Sequence, residues 1–205
     1  MTDDTRPVGA TPGGDISGLI LEHLSTPDAR NAAETEAISR AYDIHVFRAH
    51  RKKRGTEWLS DDFIRKVHAD MFGIIWEWGG QYRQTRMNIG VEPHLIPEQI
   101  KLLTGDFFSW NETKSTMPVV EIAARLQYRL TNIHPFTNGN GRHARLLTDI
   151  FLYSRQHPIP QWPQIQIMSQ GNKIRQQYIT AMKKADEGDL TELIGFIEEC
   201  LKNSN

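Results

Sequence analysis

The chain is short of cysteine, of long apolar runs and of any surplus of charge, and each shortage removes a class of function. Cys200 is the single cysteine in 205 residues. No disulfide can therefore close within the chain, and a reducing compartment is the setting this usage fits. No run of about twenty apolar residues is present and no signal-peptide pattern is readable, so the expected location is cytoplasmic, with no membrane partner. Lys and Arg total 24 against 25 Asp and Glu, a formal net charge of -1. Without a basic surplus there is no broad attraction to nucleic acid or anionic lipid, and no nucleic-acid motif stands out, so any anion must be held at a local site. Internal repeats are absent as well. A composition of 39% hydrophobic and 24% charged residues is enough for one good core.

Punctuation by Pro, Gly and capping residues predicts an all-α chain with one small β-hairpin. Residues 1–15, rich in Gly, Pro, Thr and Asp, read as a flexible lead-in, and residues 16–58 as a helical arm. In that arm Thr26 and Pro27 form an N-cap and first-turn pair, and Ala33, Ala37, Ile38, Ala41, Ile44 and Phe47 recur at helical spacing up to the basic run His50 to Arg54. Ser60 caps a second helix with Phe63, Ile64, Val67, Met71 and Phe72 on one face, stopped by Gly73, Gly79 and Gly80. From Trp76 to Ile96 the texture turns extended, which predicts a hairpin or flap. Helices follow over Pro97 to Trp110, after Pro118, and after the glycines at 139 and 141. Two more are expected near Asn172 to Lys184 and after Asp189, where Glu192 suggests a capping box.

The densest chemistry lies in His134 to Arg145, HPFTNGNGRHAR. Gly139 and Gly141 free the backbone to turn N–H groups toward a ligand, and the apolar run from Leu146 to Tyr153 marks a buried helix starting there. A helix N-terminus is an anion site. Arg142 and Arg145 sit in its first turn, where the dipole disfavours cations unless an anion compensates. His134 ends the preceding helix beside this cradle and can take a proton from an attacking hydroxyl. Phe136 and Pro135 read as scaffold.

These residues resemble the signature of the Fic (Fido) family, His-Pro-Phe-x-Asp/Glu-Gly-Asn-Gly-Arg-x-x-Arg. Eight fixed positions agree, a coincidence on the order of once in ten billion random windows. The chain is also similar to the bacterial subgroup called mobile mystery protein B. The resemblance covers about Ser60 to Leu152 and implies a mainly helical Fic fold, with a catalytic domain over 59–205 that includes the C-terminal helices. It implies transfer of AMP from ATP to a Ser, Thr or Tyr hydroxyl of a target protein, with His134 as base. Asn138, Gly139, Asn140, Gly141, Arg142 and Arg145 would bind the nucleotide: the glycines and Asn140 at the attacked phosphate, Arg142 on the leaving pyrophosphate, and Arg145 on the terminal phosphate or a regulatory carboxylate.

One departure concerns the metal. Asn138 stands where the family has the acidic residue that binds Mg²⁺; an amide oxygen is an uncharged ligand, so weaker metal use is expected. The resemblance also gives Met87, Asn88, Ile89 and Gly90, within a flap from Arg86 to Val91, a substrate-docking role. An inhibitory glutamate is expected in a Ser/Thr-x-x-x-Glu-Gly/Asn helix, yet at Thr26 to Asn31 the position is Arg30. Glu34, one turn on, is the candidate to reach Arg145 instead; otherwise a partner supplies inhibition, and a helix-turn-helix companion in a toxin and antitoxin pair is the partner class the subgroup implies. The alternatives are a nucleotide-binding regulatory protein with little transfer, and transfer of another phosphate-containing group. Gly141 argues against the phosphate-transferring relatives, which carry lysine there.

Overall fold

The computed structural model describes residues 16–47, 58–112 and 115–203. The expected lead-in over 1–15 and the basic run His50 to Arg54 lie outside them. Eight α-helices are present among the described residues: α1 (Pro27–Tyr42), α2 (Asp61–Phe72), α3 (Ile96–Trp110), α4 (Val119–Ile133), α5 (Asn140–Ser154), α6 (Gln164–Met168), α7 (Lys173–Asp186) and α8 (Thr191–Lys202). Their starts follow local chemistry. The Thr26 hydroxyl accepts from Ala29 N–H with Pro27 in the first turn, the Ser60 hydroxyl accepts from Phe63 N–H, and the Asn172 amide oxygen accepts from Ile174 N–H. Before α8 the cap differs from the expected box. Leu190 is the capping residue, Asp189 Oδ1 accepts from Thr191 N–H, and Glu192 turns outward to Lys184 Nζ at 2.6 Å.

The hub is the pair α4 and α5, joined by the loop 134–139. Every residue of α5 from His143 to Leu152 is buried, so this helix is covered on all sides, whereas the other helices bury one stripe. α2 and the turn Asp43–Phe47 pack on α5, α3 and α8 on α4, and α1 on α2. That turn is a single π-helical turn continuing α1. Phe72, Phe107, Phe136 and Phe151 are among the largest side chains with almost no exposure. Ala37 and Ala41 of α1 belong to this same core, so α1 is seated on the helices that carry the loop.

The expected β-hairpin is not formed. Among the described residues there is no ladder, only two isolated antiparallel bridges, Leu19 with Trp76 and Tyr82 with Phe136. The physical reason lies in Arg83. Its guanidinium takes the carbonyls of Thr85 (2.9 Å) and Val91, so a side chain joins the two limbs of the flap in place of a backbone ladder.

Candidate active site

His134 closes α4. Its N–H completes the last turn onto the Leu130 carbonyl at 3.1 Å, and its backbone then swings to φ 53°, ψ 58°, the left-handed region that costs a side-chain-bearing residue about 1 kcal/mol. The turn throws the chain into the loop toward α5. The imidazole is buried, with Nδ1 lacking a hydrogen-bond partner. Burial, abetted by the nearby Arg83 cation and opposed by the Thr131 backbone, lowers its pKa to about 4. The ring is therefore neutral at pH 7 and able to accept a proton.

The loop is fastened from inside and from below. Asn140 Oδ1 accepts from Phe136 N–H at 2.9 Å and its Nδ2 donates to the Phe136 carbonyl at 2.7 Å, so this amide closes the loop on itself. From α2, His68 stacks on Phe136 with ring centroids 3.6 Å apart and planes 8° from parallel. Its Nε2 lies 2.9 Å from the Asn138 carbonyl, and its Nδ1 accepts from Gly80 N–H at 2.9 Å. Those two partners demand the neutral tautomer with the proton on Nε2. Burial and the neighbouring His143 and Arg142 hold its pKa well below the usual imidazole range. His143 is likewise lowered, to about 4, by burial, with His45 adding to it, while Nε2 bonds the Ile64 carbonyl at 2.9 Å.

Gly139 then caps α5 at φ 77°, and any Cβ there would strike the Phe72 ring, with Cζ at 2.5 Å. The first N–H groups of α5 have no intrahelical acceptor and face the end of the loop. The two arginines diverge. Arg142 donates to Glu34 Oε2 at 2.6 Å and lies 4.8 Å over the Phe72 ring; Glu34 is fixed in turn by Trp76 Nε1, which donates to its Oε1 at 2.8 Å. Arg145 points the other way, with one nitrogen donating to Gln164 Oε1 at 2.6 Å and its Cζ 6.0 Å from the centroid of the Tyr178 ring. It is 3% exposed, its Nε is buried without a partner, and burial depresses its pKa. Asp149, one turn on, accepts from Tyr42 and Trp162 at 2.6 and 2.8 Å. Arg145 is thus enclosed in the second turn of α5 by Gln164, Tyr178 and the Asp149 carboxyl, whereas Arg142 in the first turn is the cation nearest the free N–H groups.

Residues 58–152 match the family described as Fic/DOC. The chain carries a Fic/DOC domain. Over 128 residues it is 33% identical to the protein adenylyltransferase Fic of Drosophila grimshawi, an alignment covering 62% of this chain and 25% of that protein. The chain thus spans about a quarter of the length of the curated relatives it matches. Fic-1 from C. elegans superposes with a TM-score of 0.62 at 26% identity, over 80% of this chain and 48% of that one. A Fic domain containing signaling protein from Bacteroides thetaiotaomicron superposes with a TM-score of 0.64 at 21% identity, over 82% and 69% of the two chains, and shares the fold.

Within the Fic domain His134, Gly139, Asn140, Gly141, Arg142 and Arg145 lie along one loop and the first two turns of α5, with two contacts other than those expected. Asn140 is a clamp for the loop, and Glu34 reaches Arg142, not Arg145. Arg142 faces α1 across Phe72, whereas Arg145, one turn deeper, faces α6 and α7. The flap residues Met87 and Ile89 are half-buried and alternate with exposed Asn88 and Gly90. For Mg²⁺, the loop offers one neutral oxygen, Asn138 Oδ1, which accepts from Gly139 N–H at 2.7 Å. Among the described residues no three His, Cys, Asp or Glu side chains group as metal ligands. Mg²⁺ is ordinarily held by one or two protein oxygens together with substrate phosphates, and the Asn138 amide would be an uncharged ligand of that kind. The sequence reading passed over His68 and Arg83, because a lone histidine on an apolar face and an arginine in an irregular segment carry no spacing signal; each is recognised only from partners far along the chain.

Proposed function

We propose that the Fic domain transfers AMP from ATP to a Ser, Thr or Tyr hydroxyl of a target protein, in a catalytic unit spanning 59–205 to which the 16–58 arm is appended. The observation that carries this reading is His134, a buried imidazole held neutral with an unpartnered Nδ1, at the head of the loop that runs into the free N–H groups of α5. The relatives named protein adenylyltransferase Fic support it. In the step envisaged, the hydroxyl oxygen forms a bond to the α-phosphorus as its proton passes to the His134 imidazole. The bond from that phosphorus to the bridging oxygen breaks, and pyrophosphate leaves with the electron pair. The first N–H groups of α5, at Asn140 and Gly141, stabilise the charge on the α-phosphate, while Arg142, once free of Glu34, neutralises the departing pyrophosphate; Arg145 would have to turn from Gln164 to meet the terminal phosphate. Met87 to Gly90 would dock the target segment, and no step passes through a metal.

A second reading, nucleotide binding with little transfer, is favoured by one contact. Glu34 occupies Arg142 at 2.6 Å, with Trp76 holding the other carboxylate oxygen, and so it competes with phosphate for that cation. Glu34 is in this account the inhibitory residue. A helix-turn-helix companion is the partner class that would relieve or reinforce it. The deciding experiment offers α-labelled ATP, γ-labelled ATP and α-labelled UTP to the purified chain and to lysate proteins, with His134→Ala as control. Label from the α-position that depends on His134 supports nucleotidyl transfer and names the nucleotide. Measurable ATP binding without transfer, in both the native chain and Glu34→Gln, rejects it in favour of the binding protein.

A further inference from the structure

His134 holds a left-handed backbone conformation that a histidine adopts only when its surroundings insist. Those surroundings are the flap. Three consecutive carbonyls at the turn accept from it: Ile133 from Val91 N–H at 3.3 Å, His134 from Arg83 Nε at 2.7 Å, and Pro135 from Arg83 N–H at 2.9 Å. The same guanidinium donates to Thr85 and Val91, the two limbs of the flap, and the side chain is 2% exposed. Gly90 lies against the ring-bearing carbon of His134, where an added Cβ would stand 2.5 Å from His134 Cβ and 2.8 Å from Arg83 Nη2.

We propose that Arg83 is a positioning residue for transfer: its fork ties both limbs of the flap to the backbone of His134 and thereby sets the distance between the docked hydroxyl and the base. This rests on His134 being the base and on the flap being where the target docks. Only an arginine meets the geometry, because three carbonyl dipoles converge from different directions and a planar fork of donors satisfies all of them, while a lysine is a point charge. The nearby carboxylate, Glu92, is bonded by Arg86 Nε at 3.0 Å, so the Arg83 charge stays directed at the carbonyls and the imidazole. Arg83 from the flap is the charged group the ring senses, and the Thr131 backbone and Gly90 are its other near neighbours. Arg83 thus acts on the base chiefly through its position, and its charge adds to the burial that keeps the ring neutral.

The test compares the native chain with Arg83→Lys, Arg83→Gln and Gly90→Ala. Three readouts are taken: the NMR titration of the His134 ring, hydrogen exchange of the Val91 amide, and kcat with KM for ATP. In Arg83→Lys and Gly90→Ala the Val91 amide should exchange at least about tenfold faster and kcat should fall about a hundredfold, with KM for ATP little changed. The His134 titration should move up in Arg83→Gln while burial still holds it below the ordinary imidazole range, and should stay in place in Arg83→Lys. Gly90→Ala is itself strained, at φ 94° and against His134 Cβ, so Arg83→Lys, which keeps the charge and the length of the side chain, stays informative if either other variant fails to fold. Unchanged exchange and kcat in Arg83→Lys and Gly90→Ala overturn the inference, as does an unchanged His134 titration in a folded Arg83→Gln. Absence of transfer by the native chain overturns instead the reading of function, and the titration and exchange then still decide the role of Arg83.

Discussion

Two glycines two residues apart in the motif should respond to alanine with opposite signs. Gly139 sits at φ 77°, and a Cβ there would meet Phe72 Cζ at 2.5 Å on the fully buried face of α2. The conformational term costs about 1–2 kcal/mol and forcing a methyl into a packed ring about 1–3 kcal/mol. Gly139→Ala should therefore destabilise by about 2–5 kcal/mol, near 5–15 °C in Tm for a domain of this size. Gly141 lies inside α5 with ordinary backbone angles, and its added Cβ would find only Arg145 Nη1 at 3.5 Å, a normal contact. Gly141→Ala should be neutral or stabilising by up to about 1 kcal/mol, since alanine loses less entropy in a helix. Urea unfolding of the two variants beside the native chain measures both. A loss below about 1 kcal/mol for Gly139→Ala, or a loss above about 2 kcal/mol for Gly141→Ala, would refute the assignment of the loop's geometry.

Glu34→Gln should raise ATP affinity and automodification, since the amide can still accept from Trp76 but no longer neutralises Arg142; calorimetry with ATP checks it, and unchanged binding refutes competition at that cation. Stability should fall as pH drops from about 6.5 toward 4. His134 and His143, each near 4 when folded, bind fewer protons than in the unfolded chain over that window and lose about 2 kcal/mol apiece between pH 6.5 and 5, with His68 acting in the same direction. Asp149 opposes them, because burial raises its carboxyl to about 7 and protonation there favours the fold by about 2 kcal/mol over the same interval. The net loss is about 2 kcal/mol or more, and a flat urea midpoint between pH 7 and 5 contradicts it. Asn138→Asp should strengthen the Mg²⁺ dependence of transfer by restoring a charged oxygen to the loop; identical magnesium titrations of transfer would remove the argument that the amide weakens metal use.

Features set by neighbours along the chain were legible from the residues alone. Thr26, Ser60 and Asn172 cap helices because a short oxygen three or so positions before a free N–H acts locally whatever the rest of the fold does. The HPFTNGNGRHAR run likewise declares its turn and helix start, since glycine conformation and helix polarity need no distant partner. The hairpin was misread because an extended texture reports two limbs and not what joins them, and here a guanidinium does. Asn140 and Glu34 changed role for a related reason: which acceptor an amide or carboxylate reaches depends on helices brought together by burial. The links that define the site join residues 108 positions apart for Glu34 and Arg142, 70 for His68 and Asn138, and 51 for Arg83 and His134. Sequence periodicity carries no information over such separations. Local chemistry determined where the proposed base and anion cradle lie, and only packing α1, α2 and the flap around the turn between α4 and α5 decided what holds His134 in place and which arginine meets the glutamate.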